Sequence, residues 1–180
     1  MKKIISSIII KFILSANSND KRLLINSLLS NEFVESKKKF LAKYEISKSF
    51  KFNGRHIKFY GDGEIFCGKN SYIGDYSTVQ AFNGKKVVIG DNCALSHNVR
   101  IYTLTYDSDQ NFNTELRKNT LSGDVIIGNG VWIGANVLIT PGVRVGDNSI
   151  IGANSVVTKD VDSNSIYGGV PAKLIRLKSN

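Results

Sequence analysis

Residues 127–162, cut in sixes, read IGNGVW, IGANVL, ITPGVR, VGDNSI, IGANSV, VTKDVD. The first position of each unit is Ile or Val, the second Gly or Thr, the fifth Val or Ser. The same frame runs upstream in CGKNSY (67–72), IGDYST (73–78), IGDNCA (89–94) and LSHNVR (95–100), with Ile101 next in line. A fixed period dictates architecture before any local propensity does. Six fits neither a heptad nor a two-faced strand. A triangular coil explains it: each hexapeptide makes one flat side ending in a turn, and three sides close one coil. The first-position aliphatic points inward and stacks on its equivalents above and below. A small fifth-position residue also fits inside the narrow prism. Gly, Asn and Asp supply the turn dihedrals at the corners. Successive coils then pair as parallel strands about 4.8 Å apart, and stability comes from stacked neighbours.

Two stretches break the frame. AFNGKK (81–86) reads as a tight excursion with an Asn-Gly turn. DSDQNFNTELRKNTLSGD (107–124) is a longer, polar, charged break, and a rigid coil that extrudes a loop of this length usually uses it. The chain start, MKKIISSIIIKFIL, is basic and apolar. Lys11 interrupts the run, no small-residue cleavage pattern follows, and the run is too short to span a bilayer. Residues 3–30 read as one or two amphipathic helices with apolar positions Ile4, Ile5, Ile8, Ile9, Phe12, Leu23, Leu24 and Leu28. That face packs on the chain's own core or another subunit, or rests on an anionic membrane through Lys2, Lys3 and Lys11. The expected organisation is an N-terminal helical segment over 1–50, a coil domain over 51–176 with its excursion at 107–124, and a short tail.

The net charge of +9 over 180 residues favours an anionic partner. No RNA-binding signature, Cys/His finger or basic-aromatic stripe points to nucleic acid. Cys67 and Cys93 lack zinc or redox spacing and read as small reduced apolar side chains. A repeat of this kind resembles that of metal-dependent hydratases of the γ-carbonic anhydrase type, and the resemblance would imply three imidazoles around each zinc. The chain has only His56 and His97, so a metal-dependent hydratase is set aside and no metal is expected.

The hexapeptide pattern over about residues 60–176 resembles the hexapeptide-repeat acyltransferases. The resemblance implies an all-β fold, a left-handed parallel β-helix; handedness comes from it alone, since crossovers are otherwise right-handed. The segment VWIGANVLITPGVRVGDNSIIGANSVVTKDVDSNSIYGGVPAKLIR is similar to bacterial sugar O-acetyltransferases of the galactoside and maltose type. Those imply a homotrimer with acetyl-CoA, the acyl donor, in a groove between subunits. By matching motif positions, Ala135 and Ala153 would line the pantetheine path, and Thr158, Lys159, Lys173 and Arg176 would meet the adenine and phosphate end. Cations there would offset the nucleotide's phosphates. Trp132 matches a Trp beside the active-site channel, a platform for sugar or cofactor or simple interface packing.

His97 raises the catalytic question. In those sugar O-acetyltransferases the general base is a His at the position held here by Tyr106, and a phenol of pKa near 10 is a poor base at neutral pH. Tyr106 and Asp107 are therefore expected beside the acceptor. Serine acetyltransferases and bacterial amino-sugar N-acetyltransferases instead place the base third in a hexapeptide, which Leu95-Ser96-His97 matches. His97 is the expected base; His56 reads as structural or solvated. The resulting expectation is acetyl transfer to a sugar hydroxyl, of a bacterial surface polysaccharide or its precursor, in the cytoplasm or at the inner face of the cytoplasmic membrane. The alternatives are N-acetylation of an amino sugar, an antibiotic-modifying acetyltransferase, and a catalytically silent trimeric scaffold.

Overall fold

The computed structural model describes residues 14–15, 17–113 and 119–179. The chain divides into two compact units, residues 1–38 and 39–180. In the first, helix α1 (Ser18–Lys43, continuing into the second unit) is started by Asn17, whose Oδ1 accepts the Asp20 N–H at 2.9 Å while its amide reaches the Asp20 carboxylate at 2.8 Å. The helix runs well beyond the expected limit at residue 30. Leu23 and Val34 are exposed on it. Ile4, Ile5, Ile8, Ile9 and Phe12 lie outside the described residues, and of Leu24 and Leu28 only the backbone is described. Among the described residues no helix is long and apolar enough to cross a membrane.

The second unit is a left-handed parallel β-helix of three faces. Face one stacks Glu45–Ile46, Glu64–Cys67, Lys86–Ile89, Val125–Ile127 and Arg144–Val145. Face two stacks Lys51–Asn53, Tyr72–Gly74, Ala94–Leu95, Trp132–Ile133 and Ile150–Ile151, then Ser165–Gly169. Face three stacks Lys58–Tyr60, Thr78–Gln80, Arg100–Tyr102, Leu138–Ile139 and Val156–Val157. Pairing starts at Glu45, ahead of residue 51. The C-terminal stretch is more than a tail: Ala172–Leu177 turns back antiparallel on Ser165–Gly169 and forms the edge of face two.

The repeat explains this packing residue by residue. First-position side chains Ile127, Ile133, Ile139, Val145, Ile151 and Val157 are all buried, as are fifth-position Val131, Val137, Val143, Ser149, Ser155 and Val161. A buried serine hydroxyl needs a partner. Ser155 Oγ donates to the Gly152 carbonyl at 2.6 Å and accepts the Gly169 N–H at 3.0 Å. The fourth position turns the corner with left-handed backbone: φ is 59° at Asn136, 56° at Asn148 and 59° at Asn154, where Asn tolerates the conformation. The N-terminal mouth of the prism is closed by rings: Phe40 stacks on Phe59 at 5.3 Å, and Phe50 meets Phe52 edge-on at 5.2 Å.

Both frame breaks lie at corners. Phe82 O accepts the Lys85 N–H at 2.9 Å around Asn83-Gly84. The longer break is rooted in an antiparallel ladder, Leu104–Tyr106 against Thr120–Ser122. Cys67 and Cys93 are free and buried; burial pushes both thiols above their ordinary range, so neither suits a nucleophile. Because Ile133 is fully enclosed between Leu95 and Ile151 of the adjoining coils, Ile133→Ala should cost about 2–5 kcal/mol, read as a lowered denaturant midpoint.

Candidate active site

The corner between faces two and three is built from two adjacent columns of residues. Cross-coil bonds set their register: Asn98 N–H donates to the Asp75 carbonyl at 2.7 Å, Asn136 N–H to His97 at 3.0 Å, and Asn154 N–H to Ala135 at 2.8 Å. The third-position column is therefore Asp75, His97, Ala135, Ala153. The fourth-position column is Tyr76, Asn98, Asn136, Asn154, with His56 beneath them, since Tyr76 N–H bonds to the Arg55 carbonyl at 3.1 Å. An amide ladder climbs the upper part: Asn98 Nδ2 donates to Asn136 Oδ1 at 2.9 Å, and Asn136 Nδ2 to Asn154 Oδ1 at 3.0 Å. Three residues singled out separately in the sequence, His97, Ala135 and Ala153, thus stand in one file.

His97 is exposed at this corner, but its ring is not free to turn. The Asp75 backbone N–H donates to His97 Nδ1 at 3.1 Å. Gly74 makes room for the arrangement, because a Cβ there would lie 2.9 Å from both the backbone N and Nδ1 of His97. A nitrogen that accepts a backbone N–H carries no proton of its own. The neutral ring then bears its hydrogen on Nε2. A general base must present a lone pair to the proton it removes; with Nδ1 engaged by the Asp75 N–H, Nε2 is the ring nitrogen left to meet a substrate.

The other expected residues fall elsewhere. Trp132 lies on face two, between Ala94 and Ile150, with 53% of its surface exposed. Lys173 and Arg176 are on the outer edge strand of that face, opposite Gly168 and Ile166. Arg176 Nη1 donates locally to the Leu177 carbonyl at 3.0 Å. Thr158 and Lys159 follow the strand Val156–Val157 at the corner between faces three and one. The hairpin that carries Tyr106 and Asp107 springs from that corner too. Tyr106 pairs with Thr120, its ring meets Phe112 edge-on at 6.5 Å, and Asp107 N–H bonds to the Asn119 carbonyl at 3.0 Å. Within one chain His97, Ala135 and Ala153 stand on one edge of face three and Thr158, Lys159, Tyr106 and Asp107 on the other, while Trp132, Lys173 and Arg176 lie on face two.

A cavity of about 460 Å³ opens where the hairpin leaves the coil, lined by Gln80, Phe82, Leu104, Thr105, Tyr106 and Thr120. Among the described residues the buried Gln80 Oε1 atom has no hydrogen-bond partner, a costly state that a ligand donor would relieve. Sequence reasoning passed over Gln80. Its signal was a polar side chain one residue after the buried Val79, where intact units carry Gly, Ser or Thr. Among the described residues no group of three or more His, Cys, Asp or Glu is placed to hold a metal.

Residues 124–159 match the family described as Bacterial transferase hexapeptide (six repeats). The chain is 42% identical over 114 residues to the galactoside O-acetyltransferase of Escherichia coli (strain K12), a match covering 62% of this chain and 53% of that protein; it thus spans about half the length of that relative. Its fold superposes on a galactoside acetyltransferase in complex with coenzyme A with a TM-score of 0.67, at 31% identity, over 92% of this chain and 84% of that one. A maltose O-acetyltransferase from Clostridium difficile 630 follows at a TM-score of 0.58 and 30% identity, over 85% and 89% of the two chains. The chain belongs to the bacterial hexapeptide-repeat transferase family. The tautomer assigned to His97 should be visible directly: imidazole nitrogen shifts at neutral pH are expected to show the hydrogen on Nε2. A hydrogen on Nδ1 would leave the outward nitrogen free to act as the base.

Proposed function

We propose that the protein is an O-acetyltransferase that moves the acetyl group of acetyl-CoA to a sugar hydroxyl, working as a trimer with a site at each subunit interface. The observation that carries this reading is the single file of His97, Ala135 and Ala153. Small side chains above His97 leave a channel in which the pantetheine arm can approach backbone closely, with the thioester delivered to the imidazole. The division of the remaining residues supports the interface. One subunit's corner would supply His97, Ala135 and Ala153, with Trp132 on the adjoining face. The facing edge of its neighbour would supply Tyr106, Asp107 and Gln80 for the acceptor. Thr158, Lys159, Lys173 and Arg176, at the C-terminal end of the coil, are the expected contacts for adenine and phosphates.

The acceptor oxygen attacks the thioester carbonyl, the carbonyl pair moves onto oxygen, and the tetrahedral adduct collapses with loss of the CoA sulfur. The hydroxyl proton ends on that sulfur, giving the acetyl ester and free thiol. His97, with Nε2–H turned outward, donates to the oxygen that becomes negative, a contact worth most in the transition state. The acceptor is a bacterial surface glycan or its lipid-linked precursor. The basic, apolar residues 1–30 are consistent with work at the inner face of the cytoplasmic membrane. A second reading, a catalytically silent scaffold, draws on Tyr106, a tyrosine where the resembling sugar O-acetyltransferases carry the base.

Thiol release from acetyl-CoA across a panel of glycosides separates these readings; a silent scaffold releases none. Loss of one oxyanion donor costs about 10²–10³ in kcat, so His97→Ala should fall by that much. His97→Gln, which retains an N–H, should lose distinctly less. Equal losses in both variants would favour a base. Arg176→Ala should weaken acetyl-CoA binding by about 1–3 kcal/mol, the range of a charge-assisted hydrogen bond. The loss should shrink for an analogue lacking the 3′-phosphate, checked by calorimetry.

A further inference from the structure

The fourth-position column changes character at its lower end. Asn98, Asn136 and Asn154 turn the corner with left-handed φ of 54°, 59° and 59°. Tyr76 and His56 hold the same conformation, φ 59° and 57°. Asn and His accept that region readily; the bulky Tyr76 ring there is strained. Strain held by the surrounding coil points to a use for the side chain.

The two rings form a shelf. His56 and Tyr76 stack with centroids 4.8 Å apart and planes 18° from parallel, matching the spacing of successive coils. The stack therefore runs along the prism axis, with His56 against the lower face of Tyr76. The upper face looks toward the coil of Asn98 and His97. Asn98 does not cover it, because its amide is drawn upward to Asn136 at 2.9 Å. Tyr76 remains 60% exposed. The shelf thus lies directly under the corner that presents His97.

We infer that Tyr76, braced by His56, is the platform on which the pyranose ring of the acceptor stacks while its hydroxyl is offered beside His97. This rests on the transferase reading above. There the acyl donor occupies the side of His97 marked by Ala135 and Ala153, so the acceptor must come from the opposite side, where the column offers Asp75, Tyr76 and His56. A sugar's apolar face of C–H groups packs on an aromatic ring with little conformational loss. Arg55, exposed at the same corner, is placed to donate to the sugar's hydroxyls. Its own backbone N–H is tied to the Asp75 carboxylate.

Tyr76→Asn tests this, because Asn is the residue the upper coils use at this position. The variant should fold with an unchanged or higher melting temperature. With methyl glycosides as acceptors its KM should rise tenfold or more, with acetyl-CoA affinity unchanged. Tyr76→Phe keeps the ring and should keep the wild-type KM. Saturation-transfer NMR with the same glycosides should show ring-proton contacts in the wild type and none in Tyr76→Asn. Wild-type KM and saturation in Tyr76→Asn overturn the platform, as does a Tyr76→Phe variant impaired as badly as Tyr76→Asn. If the wild type releases no thiol with any glycoside, the transferase reading fails; the NMR comparison still decides whether Tyr76 holds a sugar.

Discussion

The structure depends on one geometric constraint: the interior of a three-sided coil is too narrow for anything but two stacked side chains per hexapeptide. An aliphatic must enter at the first position and a small residue at the fifth. With these spoken for, the second position flattens against the adjoining coil, the fourth must turn left-handed, and the third is thrown outward at the corner. The chemistry has only the outward positions to use. That is why His97, third in its unit, reaches solvent while Leu95, two residues earlier, is enclosed. The same constraint makes outward columns vertical: whatever occupies the third position on one side of successive coils stands in a file.

This is also why so much was legible in the sequence. A period of six read from 127 to 162 identifies the buried stack, and a buried stack of that period has one architecture. The file of His97, Ala135 and Ala153 was half legible. Their shared third position is visible, but the frame break at 107–124 separates His97 from Ala135, and only the paired register shows that it does not shift the alignment. Other features were not legible because they depend on atoms across coils. The hydrogen bond that holds the His97 ring comes from an N–H that belongs to Asp75, twenty-two residues away. Gln80 reads as an ordinary polar residue until the hairpin root encloses its side-chain oxygen. Tyr76 reads as one odd letter in IGDYST; its meaning comes from His56, which lies outside any regular hexapeptide yet stacks on it.

The residues of the coil differ in how much freedom the fold leaves them. Asn98, Asn136 and Asn154 satisfy each other's amides and keep their corner in register. Their ladder is what Tyr76 interrupts. A fold that can close its corners with Asn and Gly gains nothing in stability from a tyrosine at φ 59°. The departure from the repeat is thus more informative than the repeat itself, since the regular positions report packing and the irregular ones report selection for something else. By the same reasoning the oxygen of Gln80, which has no partner among the described residues, and the long hairpin are departures from the repeat, and they occur together at one corner.

Those departures sit on the two edges of face three. His97, Tyr76 and His56 line its border with face two; Gln80 and the Tyr106 hairpin line its border with face one. A strand of two or three residues separates them, and its inward side chains, such as Val79 and Ile101, are locked in the core. A flat, rigid face offers no way for its two edges to fold toward each other. In the reading proposed above the two edges are brought together by rotation of one subunit onto the next. A second copy faces one edge with the other, and the groove between coils becomes a closed site. The rigidity that makes the solenoid stable is then the same property that makes a single chain chemically incomplete. A net charge of +9 raises the cost of bringing copies together. Anionic phosphates seated near Lys159, Lys173 and Arg176 would lower it, so that donor binding and assembly favour each other.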